Sequence, residues 1–162
     1  MRLSTKGRYA VMAMTDLARR QDEAEGGRAV ALAEIAARQQ ISLSYLEQLF
    51  ARLRRKGLVV SARGPGGGYR LALDAAQTRI SDIVLAVDEP LRATRCGLSK
   101  EGGAGKGAPK GCMAGGAKCL THDLWEEMGR QIHGYLASVS VADVLAGKLS
   151  TKTKTLGEKA AA

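Results

Sequence analysis

The chain has 162 residues, 45% hydrophobic and 4% aromatic, with 25 Lys+Arg against 16 Asp+Glu and a formal net charge of +9. That length holds one ordinary domain, or a small domain plus an extension, with enough apolar content for a core, and no run approaches the roughly 18 apolar residues of a membrane-spanning helix. Three cysteines cannot all pair internally, so metal or redox chemistry in a reducing compartment is expected over a disulfide framework.

The excess charge lies early in the chain. Residues 1–73 carry 13 Lys+Arg and 6 Asp+Glu, whereas the remainder carries 12 and 10. A basic N-terminal part attracts polyanions such as double-stranded DNA. Met1 to Lys6 leads directly into an amphipathic segment, so no signal peptide is expected and the location is expected to be cytoplasmic.

In chain order, a first helix is expected from about Thr5 to Arg20, with Tyr9, Met12, Ala13 and Leu17 on one stripe. Asp22 to Arg28 is a polar connector. A short helix follows over Ala31–Gln39, carrying Leu32, Ile35 and Ala36. After a turn at Gln39-Gln40-Ile41, Ser42 is placed to cap a third helix with Tyr45, Leu46, Leu49, Phe50 and Leu53. Gly57 suits the position just past its end. Two helices on a tight turn, the second edged with Arg52, Arg54, Arg55 and Lys56, read as a helix-turn-helix.

Leu58–Arg63 and Tyr69–Leu73 then read as strands around the glycine turn 64–68, which makes a β-hairpin wing. Ile80 to Val87 reads as another short helix capped by Ser81. Gly97 to Lys118 is rich in glycine and lysine and is expected to be a mobile loop unless a ligand pins it. A long helix is expected from Leu120 or Thr121 to Val139, with Leu124, Trp125, Met128, Ile132, Tyr135, Leu136 and Val139 as its apolar stripe. Ser140 is placed to cap a last short helix ended by Gly147. The expected fold class is mainly α with a small hairpin wing, a winged helix-turn-helix followed by a long C-terminal dimerisation helix. The expected organisation is a DNA-binding domain over 1–90, a ligand loop over 91–119, the dimerisation and terminal helices over 120–147, and a disordered tail over 148–162.

Recognition helices present their N-terminal residues to base edges. Ser42, Ser44, Tyr45, Glu47 and Gln48 occupy that region. Gln48 can pair with adenine and Glu47 can accept from a cytosine amino group; Ser42 can equally be a cap, and Tyr45 a packing residue. Arg52, Arg54 and Arg55 suit phosphates better than bases. Arg63, Gly64, Pro65 and Gly66 form a wing edge, flanked by Arg70, that is expected to reach phosphates or the minor groove; the alternative is an ordinary hairpin with a permissive tip. No helix follows the glycines directly and no P-loop Lys-Ser/Thr pair follows them, which disfavours a nucleotide loop.

Cys96, Cys112, Cys119 and His122 are the candidate metal ligands. They comprise all three cysteines and one of the two histidines. The tight Cys-x2-Cys pairs of zinc ribbons are absent. An iron–sulfur cluster tolerates wider spacing, a zinc ion with three thiolates and an imidazole is chemically sound, and free thiols remain a third option. His133, deeper in the helix, reads as a packing or surface histidine and not a ligand. A protruding apolar helix wants a partner, and a second copy of the chain is the economical one. No nucleophile–base pair, paired acid motif or cofactor loop argues for an enzyme.

Met1-Arg-Leu-Ser-Thr-Lys-Gly-Arg-Tyr-Ala10, Ile41-Ser-Leu-Ser-Tyr-Leu-Glu-Gln-Leu-Phe50 and Arg63-Gly-Pro-Gly-Gly-Gly-Tyr69 resemble the Rrf2-type winged-helix regulators. Ala93-Thr-Arg-Cys96 and Cys119-Leu-Thr-His-Asp-Leu-Trp125 resemble, within that family, its iron–sulfur cluster regulators. The resemblance spans about Met1 to Gly147. It implies a homodimeric transcription factor, mainly a repressor, holding a [2Fe-2S] cluster on Cys96, Cys112, Cys119 and His122. It further implies control of cluster-assembly genes, the assembly machinery as cluster donor, and a second class of DNA sites bound without the cluster. The Cys96–Cys112 loop is longer than the family pattern. A nitric-oxide or iron sensor of the same family, or a zinc-stabilised interaction module, is the alternative.

Overall fold

A computed structural model describes residues 4–23, 28–64, 66–87, 113 and 117–149. In chain order these form α1 (Thr5–Glu23), α2 (Leu32–Gln39), α3 (Leu43–Arg55), β1 (Val59–Ala62), β2 (Gly68–Leu71), α4 (Ile80–Ala86), α5 (His122–Ser138) and α6 (Val141–Leu145).

Helix α1 is the hub and packs on α2, α3, β2, α4 and α6. Its buried stripe is Ala10, Ala13, Met14, Leu17 and Ala18. Tyr9 and Met12, expected on that stripe, lie half-buried on its flank. The stripe is rotated toward small residues because five elements close on this helix and alanines let their backbones approach. Asp16 is also buried, and Arg38 of α2 answers it. The guanidinium donates from Nε and Nη2 to the two carboxylate oxygens at 2.8–3.2 Å. This fork, above all its hydrogen bonds to Asp16, raises the Arg38 pKa further above its ordinary value.

The turn between α2 and α3 is made by Gln40, a left-handed residue with φ 54°. Ser42 then caps α3, its Oγ accepting from the Tyr45 N–H at 3.2 Å. At the far end, Gly57 (φ 73°) reverses the chain. Its N–H reaches the Arg54 carbonyl at 3.0 Å and the Leu58 N–H reaches the Leu53 carbonyl at 3.0 Å. This is a Schellman stop with the buried Leu53–Leu58 contact that accompanies it.

Strands β1 and β2 pair antiparallel with Val59 opposite Leu71 and Ala62 opposite Gly68. Val30 adds a third, single-residue rung through reciprocal hydrogen bonds with Tyr69 at 2.8 and 2.9 Å. The Tyr69 ring meets Phe50 edge-on at 5.0 Å, and Gln21 of α1 accepts the Leu71 N–H at 3.0 Å. The wing is therefore fastened to both α1 and α3.

Ser81 was expected to cap α4, but Arg79 holds the N-cap position and Ser81 is buried in the first turn. No side-chain cap is needed, since the Ile80 N–H is taken by the Val139 carbonyl at 3.0 Å. An Arg79–Ser140 bridge and a Val141 N–H bond to the Thr78 carbonyl at 2.9 Å complete this clasp. It draws Val139 and Val141 into the same core as Met14, Phe50 and Ile83. Helix α6 opens with a full capping box. The Asp143 N–H donates to Ser140 Oγ at 3.1 Å, and the Ser140 N–H donates to Asp143 Oδ2 at 2.9 Å. Helix α5 is different: only Gly129 within it is buried. Its apolar stripe stays half-covered or exposed, with Leu124 at 60% and Tyr135 at 44% exposure.

Candidate nucleic-acid interface and metal-ligand pair

Helix α3 turns Leu46, Leu49, Phe50 and Leu53 inward. The 3.6-residue period therefore sends Ser44, Glu47, Gln48, Arg54 and Arg55 outward, and all five are exposed. Tyr45 lies on the flank, its ring edge-on to Tyr9 at 6.0 Å. It packs the start of α1 against the start of α3, beside a shallow cleft lined by Thr5, Tyr9, Gln40, Ile41, Ser42 and Tyr45. Ser42 is exposed, with its hydroxyl committed to the cap. Arg52 takes a different course from its arginine neighbours. It is half-buried and donates from Nη1 to the Val87 carbonyl at 3.3 Å. That places its charge at the C-terminal end of α4, where a helix carries partial negative charge. Arg55, one turn beyond Ala51, takes the outward position instead.

At the wing, Gly64 (φ 96°) and Gly66 (φ 75°) adopt left-handed conformations with open space around them. Gly68 is required for another reason. A Cβ there would lie 2.2 Å from the Val30 carbonyl oxygen, so the glycine admits the third rung of the sheet. Arg63 and Arg70 are both exposed beside this tip. Pro65 lies outside the described residues.

Of the four expected ligands, Cys96 and Cys112 lie outside the described residues. Cys119 and His122 stand together at the start of α5, where a turn links the His122 N–H to the Cys119 carbonyl at 3.0 Å. Cys119 is half-buried, and the His122 side chain is 12% exposed. Glu126, one turn on, places Oε2 3.6 Å from His122 Nε2. Asp123 joins these two to within 4.8 Å but pairs with Lys118 at 3.5 Å on the surface. A sulfur and an imidazole are soft and borderline donors, which suit iron–sulfur or zinc chemistry and not a hard oxygen-seeking cation. The carboxylate beside His122 matches the outer partner that orients ligating histidines. Thr121, not singled out from the sequence, is the third group here. Its Oγ1 lies 3.7 Å from Cys119 Sγ and accepts from Trp125 Nε1 at 3.0 Å. Its signal was the i, i+4 spacing to the tryptophan.

A capped second helix with an outward polar face, beside a glycine-tipped hairpin with exposed arginines, defines a winged helix-turn-helix DNA-binding protein. The Rrf2 family profile, described as "Iron-dependent Transcriptional regulator", matches residues 3–147. The chain belongs to the Rrf2 family and is a DNA-binding transcriptional regulator of the IscR type, not an enzyme. It is 49% identical over 145 residues to the HTH-type transcriptional regulator IscR of Serratia proteamaculans, covering 90% of this chain and 79% of that protein. It is 51% identical over 148 residues to an HTH-type transcriptional regulator of Neisseria meningitidis, covering 91% and 90%. Among solved structures, T. potens IscR aligns with a TM-score of 0.67 and 32% identity, over 98% of this chain and 94% of that one. CymR of B. subtilis, titled the global cysteine regulator, aligns at 0.68 and 28%, over 91% and 98%. Among the described residues, no helix is long and apolar enough to cross a membrane.

Proposed function

We propose that this regulator senses iron–sulfur cluster status through a [2Fe-2S] cluster held by Cys96, Cys112, Cys119 and His122, and so controls cluster-assembly genes. The observation that carries the reading is the Cys119–His122 pair at the head of α5 in a chain of an iron-dependent regulator family. When bound, the cluster supplies a redox-active centre with soft ligands. His122 would bind through one ring nitrogen while Glu126 faces the ring. The cluster-assembly machinery is the proposed donor, in the cytoplasm, and the ligand loop is the 91–119 unit between a DNA-binding unit over 1–90 and the helices over 120–147.

On DNA, Ser44, Glu47 and Gln48 are the proposed base readers, with Ser42 and Tyr45 at the groove edge. Arg55, Arg63 and the Gly64-Pro65-Gly66 tip take phosphates, and Arg52 acts from behind through α4. A second copy covers the half-exposed stripe of α5, which pairs two recognition helices on a roughly palindromic site. Glu47 discriminates because a carboxylate near phosphates is unfavourable unless a base amino group answers it. Glu47→Ala should narrow the affinity ratio between cluster-dependent and cluster-independent sites. An unchanged ratio across a panel of sites would count against that role.

The test is an absorption spectrum with iron and acid-labile sulfide analysis on anaerobically purified protein. About two irons and two sulfides per chain, lost in Cys119→Ala, with DNA affinity that differs between loaded and metal-free protein, is the expected result. A colourless protein holding about one zinc per chain would overturn the sensor reading and leave the DNA-binding assignment standing.

A further inference from the structure

We infer that Thr121 is a positioning residue for Cys119, donating a hydrogen bond into its sulfur while Trp125 holds the hydroxyl in place. The inference rests on the cluster reading above and assigns a role to a residue outside the ligand set.

Thr121 occupies the N-cap of α5, yet its side chain makes no capping hydrogen bond. A threonine there ordinarily accepts from the N–H two or three residues on, worth about 1 kcal/mol. Its hydroxyl is instead used sideways. Trp125 Nε1 donates to Oγ1 at 3.0 Å, and Cys119 Sγ lies 3.7 Å from the same oxygen. A hydroxyl has one proton and two lone pairs, and an indole N–H only donates. The tryptophan therefore takes one lone pair, and between the hydroxyl and the protonated thiol either can be the donor. A metal-bound thiolate carries no proton, so in the loaded protein the direction is Trp125 to Thr121 to Cys119. A hydrogen bond into a ligating sulfur draws off electron density, stabilises the reduced cluster and raises its potential.

The isosteric Thr121→Val removes both donor and acceptor, whereas Thr121→Ser keeps them. Trp125 is the only tryptophan in the chain, so its emission reports this site alone. In the metal-free chain, Thr121→Val should shift that emission and Thr121→Ser should leave it as in wild type. In the loaded full-length chain, Thr121→Val should lower the reduction potential at unchanged iron and sulfide content, and Thr121→Ser should restore it. Cluster lost from Thr121→Val but kept by Thr121→Ser also supports the role. An unchanged potential in fully loaded Thr121→Val, or a Thr121→Ser variant shifted equally, overturns it. If wild type takes up no cluster, the sensor reading fails by itself. The metal-free emission then decides the bridge, and an unshifted Thr121→Val rejects it.

Discussion

Single positions in this chain are constrained for separable reasons. The glycines of the wing look alike in sequence but do different work. Gly64 and Gly66 are needed for their positive φ, whereas Gly68 is needed because Val30 passes where a Cβ would sit. Gly68→Ala should thus push the third rung off the sheet and cost about 3 kcal/mol, the scale of an overpacked core site. A denaturant titration checks this, and a cost within about 0.5 kcal/mol, typical of an unconstrained surface site, would refute the steric argument. Caps were legible at this scale: Ser42, Gly57 and Ser140 follow from residue type next to an apolar period. The turn at Gln39-Gln40-Ile41 was placed, but the left-handed conformation of Gln40 was not foreseen, because a glutamine carries no signal that separates it from any other turn residue. Val30 was not foreseen either, because one rung has no alternation to detect. Arg52 was grouped with Arg54 and Arg55 as a phosphate contact, yet it is half-buried and bonded to the Val87 carbonyl. Counting seven residues on from Gln48 puts Arg55 on the outward face, while Arg52 falls on the flank with Tyr45.

Between elements, a few polar joints supplement the shared apolar core. Arg38 ties α2 to α1 through the buried Asp16 carboxylate. Arg38→Ala leaves that carboxylate without its partner and should cost about 3 kcal/mol, more than a surface ion pair could. Thermal unfolding of Arg38→Ala beside Arg19→Ala makes the comparison, since Arg19 pairs with Glu23 in the open. The α6 capping box adds an acid dependence. Hydrogen bonds from the Ser140 hydroxyl and then its N–H hold the Asp143 carboxyl below its usual range. A depressed folded pKa means the stabilisation is present above the unfolded value, about 3.9, and is lost as pH falls through the lower folded value. The melting temperature of wild type should therefore fall more steeply below about pH 4 than that of Asp143→Asn; parallel curves would deny the box a role. The missed Ser81 cap has the same origin as the α6 joint. Val139 satisfies the first N–H of α4 from 59 residues away, and no local pattern contains that.

For the whole molecule, the uneven charge of the chain becomes geometry. Arg54, Arg55, Arg63 and Arg70 are exposed around α3 and the wing, whereas Arg52 points to α4. DNA affinity should fall steeply with salt as counterions are released. Arg55→Ala should flatten the log–log salt slope by about one unit. Arg52→Ala should leave the slope intact while lowering the melting temperature. A slope change in Arg52→Ala equal to that in Arg55→Ala would return Arg52 to the phosphate face. The fold class and the order of elements were legible because helical periods, a glycine hairpin and three caps agree with one another. Of the expected ligands, Cys119 and His122 are joined by a local turn, which their three-residue spacing made legible, whereas Cys96 and Cys112 lie outside the described residues. The clasp between Thr78–Ile80 and Val139–Val141 has one more consequence. It grips α5 at its last turn, and the Cys119–His122 end lies about 25 Å away along 17 residues of helix. On the proposed reading, the stimulus would arrive at one end of this helix while its other end is anchored in the core shared with α1, α3 and α4. The ligand end could then be re-specified by substitution without touching the clasp, so a new stimulus could be fitted to the old DNA sites.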